Sequence, residues 1–301
     1  MSVLSRMLSL VGTRCRRLWP RRPVVSVVRL AGVIGMAGPL RSGLTLHHVA
    51  PVLERAFQIS RLAAVALVIN SPGGSPVQSA LIARRIRALA DEKKVPVLAF
   101  VEDVAASGGY WLACAADEIY ADENSIVGSI GVISAGFGFQ DLIARHGIER
   151  RVHTAGERKV LLDPFQPEDP GDLERLKAIQ VEIHESFKEM VRSRRGSRLK
   201  LEPDGGERAL FSGEFWTGRR GLALGLVDGI DDVYSRLRAR FGAKVRLRPV
   251  SESQGWLVRH VGRAAAGFGG DGGEVGVRAA ATAGGILAAV EERLWWARLG
   301  L

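Results

Sequence analysis

The feature that most constrains this chain is a repeated order: a β-branched apolar run, a turn of small residues, then a helical pattern. Residues 24–34 read Val-Val-Ser-Val-Val-Arg-Leu-Ala-Gly-Val-Ile and predict a buried first strand. Leu46, Val49, Leu53 and Phe57 then keep helical spacing across 46–60. Residues 63–69 form a second apolar run ending at Asn70, and Ser75-Pro76 predicts a capped helix start. Val77, Leu81, Ile86 and Leu89 are the expected buried stripe of that helix, with Arg84, Arg85 and Arg87 mostly opposite. Residues 96–101 predict a third strand, 108–116 a short helix and 118–121 a short strand. Strands that are apolar throughout and alternate with helices are buried on both faces. The expected fold class is therefore α/β with a largely parallel sheet.

Beyond this, residues 128–133 are another Gly-punctuated apolar segment, 137–146 predicts a helix and 149–153 a strand. Residues 169–194 predict a longer amphipathic helix, with Leu173, Leu176, Ile179, Ile183, Phe187, Met190 and Val191 as its apolar positions. Trp216-Thr217-Gly218 opens a short helix that Gly225 ends, before Leu226-Val227-Asp228. Three parts are expected: a basic arm over 1–23, one domain over 24–240, and an Ala/Gly-rich extension over 241–301 that ends in an amphipathic helix.

The net charge of +10 comes almost wholly from arginine, since only seven of the 42 basic residues are lysines. There is no zinc-ligand spacing, no aromatic ribonucleoprotein motif and no single basic helix, so a nucleic-acid partner is not expected. Arg14, Arg16, Arg17, Arg21 and Arg22 follow a short apolar stretch rather than precede one, the wrong order for a signal peptide. No apolar run reaches the ~18 residues of a spanning helix. The arm could lie on an anionic membrane surface or form a disordered tail. Two cysteines, Cys15 and Cys114, make no disulfide framework, and a reducing compartment fits best. The expected location is the cytoplasm or, peripherally, the cytoplasmic face of a bacterial inner membrane.

The chemistry lies in segments that taken singly read as turns. Val104-Ala105-Ala106-Ser107-Gly108-Gly109-Tyr110 sets a hydroxyl among residues with almost no side chains. The glycines after Ser107 leave amides free to face a developing negative charge. Asn70-Ser71-Pro72-Gly73-Gly74-Ser75 joins a strand to a helix start, where backbone amides can also be donors. A nucleophile needs a base, and none of the six histidines lies in a special context; His146 and His184 read as solvated helix residues. Lys159 comes after a predicted strand and precedes Val160-Leu161-Leu162, in a chain that otherwise prefers arginine. An amine serves as a base only where apolar surroundings lower its pKa, and a guanidinium cannot serve at all. Ser129, between Gly128 and Ile130-Gly131, could orient such an amine or be an ordinary turn serine.

Together these motifs resemble the signal peptide peptidase A family, protease IV and its relatives, over about residues 24–233. The segments that carry the resemblance are Asn70 to Gly74, Ala106 to Tyr110, Gly128 to Gly131, Gly156 to Lys159, and Ala223 to Asp228. The resemblance implies Ser107 as nucleophile, Lys159 as general base and Ser129 as the residue that hydrogen-bonds the lysine. It implies Gly74 and Gly108 as backbone oxyanion donors, with Gly73 shaping the turn. It also implies a Clp/crotonase-like superhelix of ββα units, a homo-oligomer that buries its sites, and hydrophobic, signal-peptide-like or membrane-derived peptides as substrates. No metal or organic cofactor is implied. The chain departs from the typical family pattern in having a basic arm where a transmembrane anchor is usual, and in its Ala/Gly-rich extension.

A Clp-type peptidase would want a histidine shortly after the serine, and residues 125–136 contain none. A crotonase-type acyl-CoA enzyme would want a carboxylate base and would have no use for Ser107 with Lys159. A non-catalytic assembly protein on the same scaffold would tolerate loss of Ser107. The expected activity is that of a serine endopeptidase with a Ser-Lys dyad.

Overall fold

The computed structural model describes residues 22–35, 37–38, 41–156, 158–200 and 206–251, with 293, 296, 297 and 299 near the C-terminus. The basic arm before residue 22 and most of the Ala/Gly-rich extension lie outside the described residues.

The predicted alternation is present. The strands are β1 (Val24–Ala31), a short pair β2 (Ala37–Gly38) and β3 (Arg41–Ser42), β4 (Leu62–Ser71), β5 (Val97–Ala106), β6 (Glu118–Ala121), β7 (Ile126–Gly128), β8 (Phe215–Thr217), β9 (Gly229–Ile230) and β10 (Arg246–Val250). The helices are α1 (Leu46–Phe57), α2 (Pro76–Lys93), α3 (Gly108–Cys114), α4 (Gln140–Arg145), α5 (Pro170–Arg195), α6 (Gly206–Leu210), α7 (Gly218–Leu224) and α8 (Val233–Phe241). The main sheet runs β10-β1-β4-β5-β6-β9, with every neighbouring pair parallel. Its outer strand β10 lies past residue 240, inside the stretch expected as an extension.

Both faces are covered, as apolar strands require. On one face Leu30, Leu67 and Ile69 pack with Leu53 of α1, Ile82 and Ile86 of α2, and Tyr110 and Leu112 of α3. On the other, Val25, Ala66, Leu98, Phe100 and Tyr120 pack against Leu237 of α8.

The Ser75 hydroxyl caps α2 by accepting from the Gln78 N–H at 3.4 Å. The buried stripe of α2 is Ser79, Ile82, Ala83, Ile86, Leu89 and Ala90; Ile86 and Leu89 are buried as expected, Leu81 is half-buried, and Val77 is exposed. A helical stripe alternates steps of three and four, which 79, 82, 86 and 89 satisfy and the expected 81-to-86 step of five does not. Residues 149–153 are exposed and form no strand, because no neighbouring edge pairs with them. The helix expected over 137–146 is shorter, at Gln140–Arg145, and buries nothing. On α5, Phe187, Val191 and Arg195 are buried, whereas Ile179 is 41% exposed; only the C-terminal part of this helix reaches the core.

Candidate active site

The site is made by one strand that changes neighbours. Along β5, residues 98–101 pair with β6, whereas residues 104–106 pair with β7. The change happens at a bulge: two steps along β4, Ile69 to Ser71, face four along β5, Val101 to Ala105. Such an insertion bends the strand and re-aims the residues beyond it. Asn70 fills the bulge, its amide N–H donating to Asp103 at 2.6 Å and its amide oxygen accepting from the Val104 N–H at 3.3 Å. The redirected strand delivers Ser107 to β7, where the Ser107 N–H donates to the Gly128 carbonyl at 2.8 Å.

Ser107 occupies the corner between β5 and α3 with φ 52° and ψ −122°, a conformation costly for a residue with a Cβ. Nucleophilic serines are exposed by the same kind of sharp strand-to-helix turn in unrelated hydrolases. Its side chain makes no capping hydrogen bond to α3, so the Gly108 and Gly109 amides of the first turn are not satisfied by it. A Cβ on Gly109 would fall 2.4 Å from the Ser71 carbonyl oxygen, and one on Gly108 2.4 Å from the Ser79 hydroxyl.

The 70–75 turn is bracketed by the chain after β1. The Gly32 N–H donates to Asn70 O at 2.9 Å, Ile34 N–H to Gly73 O at 2.8 Å, and Ser75 N–H to Ile34 O at 2.8 Å. The Ser71 hydroxyl donates to Gly32 O at 2.7 Å. Gly74, at φ 140°, leaves so little space that a Cβ would sit 2.1 Å from Ile34 O.

Ser107 and Ser129 line one cavity of about 350 Å³, together with Pro72, Ile133, His184 and Gly213. Leu299 also reaches it. Ser129, at φ 53°, is held by its N–H donating to Glu214 O at 2.7 Å. Thus Ser107, Ser129, Gly73 and Gly108 are brought together. Lys159 is not among the residues that line the cavity. It is exposed, on the excursion between β7 and α5, with its backbone N–H donating to Gly156 O at 3.3 Å.

Three contributions escape sequence reasoning. His184, read as a solvated helix residue, lines the cavity and lies 3.1 Å from the Ile130 carbonyl through Nε2. Its only local signal is Phe187 one turn on, which stacks on Trp111 with ring centroids 4.6 Å apart. Asn70 is the bulge clamp described above. Arg195, 3% exposed, grips Asp228 through two nitrogens at 2.7 and 3.0 Å and the Gly225 carbonyl through two more contacts. Asp228 in turn accepts from the Ile119 N–H at 2.7 Å, and the Tyr110 hydroxyl donates to Leu226 O at 2.8 Å. The segment after α7 is thereby tied to the helix that starts at Ser107.

A model of peptidase family S49 matches residues 89–244, just over half of the chain. The chain belongs to peptidase family S49. This S49 chain is 52% identical over 294 residues to a protein named Na(+)/H(+) antiporter NhaA from Brucella melitensis, covering 95% of the chain and 39% of that protein. It is 29% identical to the chloroplastic serine protease SPPA of Arabidopsis thaliana, over 69% of the chain and 31% of that protein. It is 34% identical to the putative protease MJ0651 of Methanocaldococcus jannaschii, over 55% of the chain and 51% of that protein. The S49 chain thus spans about half or less of each of these three relatives. A solved membrane-bound stomatin-specific protease with a substrate peptide aligns over 80% of the chain and 99% of its own length, at 15% identity and TM-score 0.47. The mixed α/β sheet, parallel along its main path and covered by helices, agrees with the α/β class expected from the sequence. No helix among the described residues is long and apolar enough to cross a membrane.

Proposed function

We propose that this S49 chain is a serine endopeptidase in which Ser107 and Lys159 form the catalytic dyad and hydrophobic peptides are the substrates. The observation that carries the reading is the shared cavity: a hydroxyl on a strained strand-to-helix corner faces the same space as Ser129, with Gly73 packed directly behind it. In this reading the Ser107 Oγ attacks the scissile carbonyl carbon while its proton passes to the Lys159 amine. The carbonyl oxygen gains the negative charge and is met by the Gly74 and Gly108 amides. The intermediate collapses, the C–N bond breaks, and the lysine proton goes to the leaving amine. Water, deprotonated by the same amine, then releases the acyl group and regenerates Ser107. Ser129 donates to the lysine nitrogen and fixes its direction.

Lys159 must be carried to Ser107 for this to work. The excursion that bears it exposes Phe137, Leu142 and Ile148 at 77, 52 and 59%, which supports its being covered by a second copy of the chain or by substrate. The same surface supports the homo-oligomer reading. Pro72, Val132 and Ile133 along the cavity support apolar residues beside the cut. Peripheral attachment to an anionic membrane through the arginine-rich arm belongs to this proposal as well.

The test is hydrolysis of fluorogenic apolar peptides by wild type, Ser107→Ala and Lys159→Ala. Cleavage by wild type alone is the expected result. Full activity in Lys159→Ala removes the lysine from the mechanism, and equal cleavage by all three removes Ser107.

A further inference from the structure

His184 and Phe187 lie one turn apart on α5, so they project from the same side of that helix. Phe187 stacks on Trp111, four residues after Ser107 on α3. His184 reaches the Ile130 carbonyl through Nε2 at 3.1 Å, one residue after Ser129. One helix therefore touches both halves of the candidate site. Ile130 is itself fully buried, and Ser129 sits at a positive φ that a serine does not adopt unaided. The turn is otherwise held by Ser129 N–H to Glu214 O and by Gly131 N–H to Ser129 O at 3.0 Å. A carbonyl is an acceptor only, so in this contact the ring nitrogen facing it is the donor.

We infer that His184 is a positioning residue: its Nε2–H holds the Ile130 carbonyl and thereby keeps Ser129 aimed into the cavity it shares with Ser107. The inference rests on the Ser107 reading for its effect on catalysis, but its physical content is the anchoring of one turn. His184 takes no proton from Ser107 in this role. It supplies a donor, which an amide can replace and a hydrocarbon ring cannot.

Two variants separate the possibilities. His184→Gln keeps an N–H at about the same reach from the helix and cannot act as a base; His184→Phe keeps a ring and loses the donor. Hydrogen–deuterium exchange over residues 128–134 is measured for wild type and both variants, alongside kcat and KM on an apolar fluorogenic peptide and thermal unfolding. The expected result is faster exchange and about a tenfold lower kcat in His184→Phe with KM little changed. His184→Gln should exchange as wild type does and retain kcat within about threefold. Unchanged exchange in His184→Phe overturns the inference, whatever the enzyme does. If wild type cleaves and His184→Gln is as inactive as His184→Phe, the ring acts as a base and the positioning role is wrong. If no variant and no wild type cleaves, the peptidase reading is the one that fails, and exchange alone decides whether His184 holds the turn.

Discussion

Gly73 stands directly behind Ser107: a Cβ added to Gly73 would lie 2.7 Å from the Ser107 Cβ, and 3.0 Å from both the Ala106 carbonyl oxygen and the Gly108 nitrogen. Gly73 also has φ 108°, where a side chain is strained whatever the space. The turn after β4 and the corner after β5 are therefore fitted backbone to backbone. Neither can shift without the other.

Gly73→Ala should consequently displace Ser107 while leaving the sheet intact. A misplacement on the order of 1 Å costs about a hundredfold in rate, and overpacking costs about 1–3 kcal/mol of stability. Peptide hydrolysis and thermal unfolding of the purified variant check both. Wild-type turnover in Gly73→Ala would mean that the contact does not position the nucleophile.

Ser107 is held at φ 52° and ψ −122° by its surroundings, including the bond from its N–H to Gly128 O. Glycine adopts such values without the steric cost of a Cβ. Ser107→Gly should therefore abolish hydrolysis and yet raise stability by about 1 kcal/mol, whereas Ser107→Ala should abolish hydrolysis with no such gain. Chemical denaturation of the two variants side by side reads the difference. Equal midpoints would show that the corner is unstrained.

Arg195 is buried with Asp228 and the Gly225 carbonyl as its partners. Arg195→Met removes the charge but leaves Asp228 partly buried with only the Ile119 N–H and the more distant Arg198, 3.7 Å away. Breaking one side of such a pair costs about 3–5 kcal/mol. Because the same segment carries the Leu226 carbonyl that accepts from Tyr110, peptidase activity should fall along with the unfolding midpoint. A double variant, Arg195→Met with Asp228→Leu, should recover part of the stability, since it leaves no unpaired charge.

Cys114 is fully buried in α3, and burial pushes its thiol up to about 12. The thiolate is the reactive form, so native protein at about pH 8 should label with iodoacetamide only as fast as it unfolds. The unfolded thiol ionises near its ordinary value of about 8.5, below the folded one, so the folded state holds this proton more tightly. This group's contribution to stability is thus fully present below that pH and is lost progressively towards 12 as the solution becomes alkaline. Cys114→Ala should flatten that alkaline loss in a denaturation series run against pH. An unchanged slope would place its cause in another group.

The strands of the main sheet, the capped start of α2 and the corner at Ser107 are legible in the residues themselves, because propensity, capping and turn chemistry act within a few positions. The stretch over 149–153 shows the limit of that reasoning: its composition suits a strand, but a strand exists only where an edge pairs with it. The amphipathic pattern of α5 runs along the whole helix, yet only its last turns find a core to bury against. Single-residue chemistry pointed to Ser107, Ser129 and Lys159 alike, and the fold treats them differently. Ser107 meets Ser129 because an insertion of two residues in β5, filled by Asn70, turns that strand from β6 to β7. His184 joins them because α5 returns across α3 with Phe187 on Trp111. The chain by itself determines the local shapes and the groups able to do chemistry. Which of those groups share a cavity is decided by hydrogen bonds and packing between segments far apart in sequence, and no local preference encodes them.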